Sequence, residues 1–169
     1  MAARWPETLC SEDRAYILGP LLWRGWIICT DGTVLAAVTD ASRIEGPVRP
    51  ADRDRTKPFP RILESEPVDP VTFTVSALRK ACGRVRDEKR HDLDRTAQFR
   101  GVRLNLRQLA FLLRGAPNEP VALSTTDAAG PIIVVGESWR GCLMPLRPSE
   151  DQHTLPDLES VAAAPTEAS

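Results

Sequence analysis

Short apolar runs, each ended by a Gly, Asp or Pro turn, fill much of this chain and limit it to a fold built mainly from β-strands. Residues 16–23 and 26–30 are rich in Ile, Leu and Trp, and the tight-turn dipeptide Arg24-Gly25 separates them. Asp31-Gly32 is a second hairpin signal before the run TVLAAVT at residues 33–39. The three runs predict an antiparallel meander of three strands.

A proline-rich segment follows the meander. Six prolines fall between residues 42 and 70, at positions 47, 50, 58, 60, 67 and 70. Because proline interrupts both helices and strand ladders, we expect a connector without regular structure. We also expect a flexible lead-in at residues 1–12 and a disordered tail at 148–169, which is rich in Pro, Ser, Glu and Ala.

The second half combines strands with one segment of helical periodicity. VTFTV at residues 71–75 predicts a strand, and strand-like runs also occur at 121–124, 132–136 and 142–146. From about Ser76 the apolar residues recur at helical spacing and form one stripe, namely Ala77, Leu78, Ala81, Cys82 and Val85. The predicted fold class is α+β, a mostly antiparallel sheet with one main helix or two, within a single domain at residues 13–147.

Residues 102–114 fit two structures. The apolar residues of the first part alternate with polar ones, which is typical of a half-buried strand (Val102, Leu104 and Leu106). The second part also fits a helix capped by Asn105, because its apolar residues recur every three or four positions (Leu106, Leu109, Ala110 and Leu113). We favour two strands, for a reason given with the resemblance below.

The net charge of −1 conceals a basic segment. Residues 71–115 carry 11 Lys or Arg against 4 Asp or Glu, whereas the rest of the chain carries 11 against 19. Such a block is expected of a surface that faces a polyanion, and it is equally typical of a solvated helix face. The candidate DNA-binding residues are Arg79, Lys80, Arg84, Arg86, Lys89 and Arg90.

Several function classes receive little support from the sequence. No apolar run approaches the roughly 20 residues that span a bilayer, and the N-terminus lacks a secretory h-region, so we expect a cytoplasmic protein. The four scattered cysteines are expected to be buried thiols, with a disulfide or a metal site as the alternative. No cofactor is expected. The rival class is a metal-dependent nuclease that uses His91, Asp92 and Asp94.

Several short pieces of the chain, taken in order, resemble the bacterial DNA polymerase III beta sliding clamp family. They are similar to parts of the middle and last of that family's three domains, and they cover most of residues 13–147. The pieces are RAYILG at 14–19, TDGTVLA at 30–36, FP at 59–60 with Pro67, the strand and helix at 71–85, DEK at 87–89 with FRGVRL at 99–104, and LMPLR at 143–147. In the family FRGVRL is a strand, which is why we favour a hairpin at 102–114.

The resemblance implies a clamp-like protein that is not an enzyme. It would bind the short motifs of DNA polymerases, the clamp loader and repair proteins, and it would contact double-stranded DNA through the basic helix. Carried over residue by residue, the peptide pocket comprises Arg14, Ile17, Thr30, Gly32, Val34, Leu35, Pro67, Cys142, Met144 and Leu146. The alternative for these residues is an ordinary apolar core.

The chain also departs from the family. It has no counterpart of the first domain, or of the helix-bearing halves expected before Arg14 and after Pro120. Thr33 and Val34 replace the His and Arg of the family's turn, and Pro148 replaces its closing Leu. A ring would therefore require a homo-oligomer of many copies. Two versions stay open: a reduced processivity factor around DNA, or a clamp mimic that sequesters the partners of a host clamp.

Overall fold

The computed structural model describes residues 5–10, 19–88, 95–125, 127, 130–148, 150 and 155–163. The strands are β1 Leu21–Trp23, β2 Trp26–Thr30, β3 Val34–Val38, β4 Arg49–Pro50, β5 Val71–Thr74, β6 Thr96–Phe99, β7 Val102–Asn105, β8 Pro120–Thr125, β9 Ile132–Gly136 and β10 Trp139–Leu143. The helices are α1 Val75–Glu88, α2 Leu106–Leu113 and α3 Leu158–Ala163. Within these ranges no helix is both long and apolar enough to cross a membrane.

Eight of the strands form one sheet in the order β4-β1-β2-β3-β10-β9-β8-β5, while β6 and β7 form a separate hairpin. Every neighbouring pair is antiparallel except β1 with β4. The predicted strand order of the meander is therefore present as β1-β2-β3, with β1 beginning at Leu21. Its first turn needs Arg24 and Gly25 at φ values of 46° and 83°, the left-handed backbone that a two-residue hairpin turn adopts.

Each face of the large sheet carries its own apolar layer. On one face, α1, α2 and the β6-β7 hairpin cover the side chains of Cys29, Ala36, Val38, Leu123 and Val134. The other face presents the alternate side chains Ile28, Leu35, Ala37, Ile133 and Cys142, and the connector covers them with Phe59, Ile62 and Leu63. Both layers follow from the two-residue period of a strand, since neighbouring side chains point to opposite faces.

The favoured hairpin at residues 102–114 is wrong. β7 ends at Asn105, whose Oδ1 accepts a hydrogen bond from Arg107 N at 2.9 Å and so caps α2. Four leucines of α2 are buried on one side at helical spacing, namely Leu106, Leu109, Leu112 and Leu113. β7 does belong to a hairpin, but its partner is the preceding strand β6, through a turn at Arg100-Gly101.

The segments expected to lack order contribute to the core. In the lead-in, Trp5 and Leu9 are buried, and Trp5 Nε1 donates to Leu112 O at 2.9 Å. In the tail, α3 packs on α1 and buries Leu158. The connector contains β4, two 3-10 turns at Ala41–Arg43 and Arg53–Arg55, and a π-helical turn at Pro60–Glu64. Prolines therefore shorten the elements of the connector without preventing them.

Candidate functional site

An apolar pocket of about 410 Å³ opens on the sheet face opposite α1 and α2. Its floor comes from Leu21 of β1, Leu35 of β3 and Cys142 of β10, and the last two are directly paired across neighbouring strands. Its wall is the connector, and its rim is the turn between β2 and β3 together with Met144. The lining residues are Leu21, Thr30, Gly32, Thr33, Val34, Leu35, Asp54, Pro58, Phe59, Ile62, Cys142 and Met144.

The turn at the rim is held by its own side chains. Asp31 Oδ1 accepts hydrogen bonds from Thr33 N at 2.7 Å, from Thr33 Oγ1 at 2.7 Å and from Val34 N at 2.9 Å. Thr30 Oγ1 accepts from Gly32 N at 3.0 Å and donates to Val34 O. Gly32 has a φ of 91°, which L side chains rarely adopt. The Thr-Asp-Gly-Thr sequence therefore fixes the shape of the rim without help from a ligand.

The connector wall is fastened to the sheet. The π-helical turn buries Ile62 and Leu63, and the ring of Phe59 meets that of Trp23 edge to face at a centroid distance of 5.6 Å. Arg140 Nη1, on β10, donates to Ser65 O at 2.8 Å just beyond the turn. Because the wall packs on β1 and bonds to β10, the opening of the pocket has a defined width.

The closing edge of the pocket continues the β3-β10 ladder. Met144 N donates to Thr33 O at 2.9 Å, one residue beyond the end of β10, and 47% of Met144 is exposed. Cys142 lies deeper and is buried; burial raises the pKa of its thiol to about 12, so the thiol stays neutral at physiological pH. A flexible thioether at the mouth and a neutral thiol in the floor make this edge apolar.

Six of the ten predicted pocket residues lie together in the lining, namely Thr30, Gly32, Val34, Leu35, Cys142 and Met144. Arg14 and Ile17 fall outside the residues that the structure describes. Pro67 is not in the lining, because the π-helical turn places Phe59 and Ile62 against the sheet and the chain has passed the pocket by Pro67. Leu146 also lies elsewhere, since its N donates to Arg103 O of β7 at 2.8 Å.

The sequence analysis missed several lining residues. Phe59 belonged to a quoted motif, and its spacing to Ile62 and Leu63 within a Pro-rich segment was a signal for a buried turn. Thr33 lies inside the TDGTVLA piece, Pro58 precedes the FP piece, and Leu21 lies within a predicted strand. Nothing in the sequence pattern pointed to Asp54.

Two of the predicted DNA-binding arginines serve the fold. Arg79 donates from Nε and Nη2 to Leu113 O at 3.0 and 2.6 Å, and from Nη2 to Ala116 O at 2.9 Å, so it satisfies carbonyls at the end of α2. Arg84 Nη1 donates to Val161 O of α3 at 3.0 Å. Lys80 is exposed on α1, while the side chain of Arg86 and residues 89 and 90 lie outside the described part.

Three arginines line a groove of about 220 Å³ between α1 and α2, namely Arg79, Arg95 and Arg107. The positive charge of the groove comes from α1, α2 and the residue before β6, although Arg95 and Arg107 were not among the predicted residues. The sequence signal for these two arginines was the positive charge of residues 71–115 as a whole, and not their position on the predicted helix. This groove is on the helix-bearing face, opposite the apolar pocket.

The residues of the nuclease hypothesis, His91, Asp92 and Asp94, lie outside the described part of the chain. Within the described part, no group of three His, Cys, Asp or Glu side chains could hold a metal ion. All four cysteines are free thiols, three of them buried and Cys10 half-buried. A hydrogen bond between the thiols of Cys10 and Cys29 lowers the pKa of the first and raises that of the second.

Comparison with known proteins gives a likeness in structure alone. No family model matches the sequence, and no curated protein matches it. The beta subunit of DNA polymerase from Streptococcus pyogenes is similar over 86% of this chain and 62% of its own, with a TM-score of 0.58 at 12% identity. The sliding clamp of Pseudomonas aeruginosa is similar over 83% and 61% (TM-score 0.57, 15% identity), and Caulobacter crescentus pol III beta over 82% and 60% (0.56, 15%).

The chain therefore matches less than two thirds of the length of these solved proteins. At such low identities the likeness shows the fold and nothing about activity or partners. The described chain is a mostly antiparallel α+β protein with the fold of part of a bacterial sliding clamp, as the sequence predicted.

Proposed function

We propose that this chain, which has the fold of part of a bacterial sliding clamp, is a binding protein and not an enzyme. Its apolar pocket takes a short extended peptide segment of the kind carried by DNA polymerases, the clamp loader and repair proteins. The single observation that supports this most is the convergence of the Thr30–Val34 turn, the Phe59 wall and Met144 around one open cavity.

The dimensions and chemistry of the cavity suit such a ligand. A volume of about 410 Å³ is within the range of sites that enclose small ligands, and it can hold one or two large apolar side chains. An extended peptide would insert a Leu or Phe anchor between the floor at Leu35 and the wall at Phe59. Met144 can adjust its rotamers to different anchors, because its side chain is unbranched and polarisable.

The alternative is that these residues are an ordinary core. Leu35 and Cys142 are buried and would be found in either case. Met144 is what favours a binding site, because it is one of few large apolar side chains in the described residues that are substantially exposed, and it stands at the mouth of the cavity. An apolar group left in water beside an open apolar cavity favours an incoming apolar partner.

Met144→Asp is expected to weaken peptide binding at least tenfold. The substitution places a carboxylate at the apolar mouth, where an incoming Leu or Phe would have to desolvate it. Fluorescence anisotropy with a labelled peptide that carries a Leu anchor and a Phe anchor gives the affinity. We expect a dissociation constant on the order of 10 μM for the unchanged protein.

Val68→Asp is the matched control for this substitution. Val68 is 65% exposed and does not line the pocket, so the same change of charge should leave the affinity within about twofold. Equal thermal unfolding of the two variants would show that neither loses its fold. Absence of binding at about 100 μM peptide, or binding unchanged by Met144→Asp, would contradict the proposal.

A second candidate function is contact with double-stranded DNA. The groove between α1 and α2 supports it, since Arg79, Arg95 and Arg107 line it within a segment of strongly positive charge. Phosphate oxygens are the groups that such a groove suits, and no reading of bases follows from it.

The double substitution Arg95→Glu with Arg107→Glu, two residues that line the groove, is expected to weaken double-stranded DNA binding at least tenfold at low salt. It should also make the dependence of affinity on salt shallower, because fewer counterions are released. Arg49→Glu with Arg53→Glu is the control, since both residues are exposed, neither lines the groove, and the net charge changes equally. Equal effects of both pairs would contradict a specific role of the groove.

The two versions of the proposal differ in assembly. A processivity factor must surround DNA, so this version predicts an assembly that encloses the duplex. A mimic that sequesters the partners of a host clamp can work as a monomer, because it needs the pocket alone.

A further inference from the structure

We infer that Asp54 makes the pocket selective for peptides that carry a Lys or Arg beside the apolar anchor. The inference rests on the proposed peptide binding and adds to it the chemistry of the ligand. Asp54 belongs to a 3-10 turn at Arg53–Arg55 and, among the residues that the structure describes, is the one charged residue in the lining of the pocket.

The other polar groups of the lining are already engaged. The hydroxyl of Thr30 donates to Val34 O and accepts from Gly32 N. The hydroxyl of Thr33 donates to Asp31 Oδ1 at 2.7 Å. Both hydroxyls therefore have hydrogen-bond partners within the turn. The rim turn contributes its shape, rather than charge, to the binding of a peptide.

Asp54 differs from the other acidic groups nearby. Asp31 accepts three hydrogen bonds within the rim turn, and Glu64 pairs with Arg24 at 3.1 Å. Among the side chains that the structure describes, none donates to the carboxylate of Asp54 or pairs with it. An incoming cation therefore does not have to break an existing ion pair at this position.

The turn that carries Asp54 is held in place. Arg53 O accepts hydrogen bonds from Thr56 N at 3.3 Å and from Thr56 Oγ1 at 2.8 Å, and the chain then enters the wall at Pro58. The backbone that carries Asp54 is thus held beside the apolar wall residues. A Lys or Arg next to the anchor could lay its methylene groups along that wall and place its charge at Asp54.

The expected effect is modest and sensitive to salt, since Asp54 is exposed. Three labelled peptides share the same Leu and Phe anchors and differ only in one flanking residue, which is Lys, Gln or Glu. One set of three carries this residue on the N-terminal side of the anchors, and a second set carries it on the C-terminal side. In low salt we expect the Lys peptide to bind about threefold to tenfold more tightly than the Gln peptide, and the Glu peptide to bind weakest. The preference should shrink at about 0.5 M NaCl.

Asp54→Asn tests the residue itself. The variant should bind all three peptides with similar affinity, and its affinity for the Gln peptide should stay within about twofold of the unchanged protein. Asp52→Asn is the matched control, since Asp52 is exposed two residues earlier and does not line the pocket. It should keep the preference for Lys.

The outcomes separate the two ideas. If no peptide binds, the proposed function fails and the inference falls with it. If the peptides bind without regard to the flanking charge, or if the preference persists in Asp54→Asn, the inference is overturned while the pocket keeps its proposed role.

Discussion

Replacing Trp139 with alanine is expected to lower the free energy of unfolding by about 4 kcal/mol, the largest effect of a single substitution that we predict. Trp139 begins β10 and is only 1% exposed. Its ring meets that of Trp5 edge to face at a centroid distance of 5.1 Å, so truncation leaves a large cavity and also removes a packing partner of Trp5. Urea denaturation followed by far-UV circular dichroism measures the change independently of tryptophan fluorescence.

Trp139→Phe is the control that separates packing from hydrogen bonding. Within the described structure, the indole N–H of Trp139 has no hydrogen-bond partner. Phenylalanine fills much of the same volume and removes that buried donor, so we expect a loss of only about 1–2 kcal/mol. An alanine variant within about 1 kcal/mol of the unchanged protein would show that Trp139 is not the core residue that its burial indicates.

Gly141→Ala is expected to cost about 3 kcal/mol of folding stability. A Cβ at Gly141 would stand 2.6 Å from Leu35 O and 2.9 Å from a ring carbon of Trp139. The carbonyl belongs to the backbone of β3 and cannot rotate away, so the two strands must separate. Because Leu35 and Cys142 form the floor of the pocket, peptide affinity should fall together with stability.

Gly83→Ala is the matched control, because the same chemical change meets no steric obstacle. A Cβ at Gly83, in α1, has no heavy atom within 4 Å, and alanine is the better helix former. We expect a gain of up to about 1 kcal/mol. The thermal midpoints of the two variants should move in opposite directions; a shift of both in the same direction would contradict the steric argument.

The elements with an unambiguous period could be predicted from the sequence. Turn dipeptides fixed the meander, the stripe from Ala77 to Val85 marked α1, and β8 and β9 lie where apolar runs predicted them. The likeness to solved clamps confirms the α+β, clamp-like fold that the motifs indicated.

The remaining elements depend on contacts between distant residues. Leu104 and Leu106 fit one alternating strand, but the cap at Asn105 and the burial of Leu112 and Leu113 against α1 and the sheet decide for a helix. The tail has few large apolar residues, yet Leu158 finds a site near α1 that composition cannot reveal. Local pattern gives the structures a segment can adopt, and packing selects among them.

The pocket likewise has parts that the sequence predicts and parts that depend on packing. Its turn belongs to the β2-β3 hairpin and its closing edge continues the β3-β10 ladder, so the position of each side chain there follows from the register. Its wall is irregular, so spacing could not tell whether Phe59 and Ile62 or Pro67 would face the sheet. Asp54 illustrates the limit most clearly, because a charged residue in a loop has no period at all.

The complete burial of β3 has one further consequence. Its alternate residues belong to two compartments: Val34, Ala36 and Val38 to the helix layer, and Leu35 and Ala37 to the layer under the connector. A fragment that lacked α1 and α2 would therefore expose the other apolar face of the strand that forms the pocket floor, and we expect such a fragment to lose the pocket. The pocket therefore depends on the packing of apolar residues on both faces of β3.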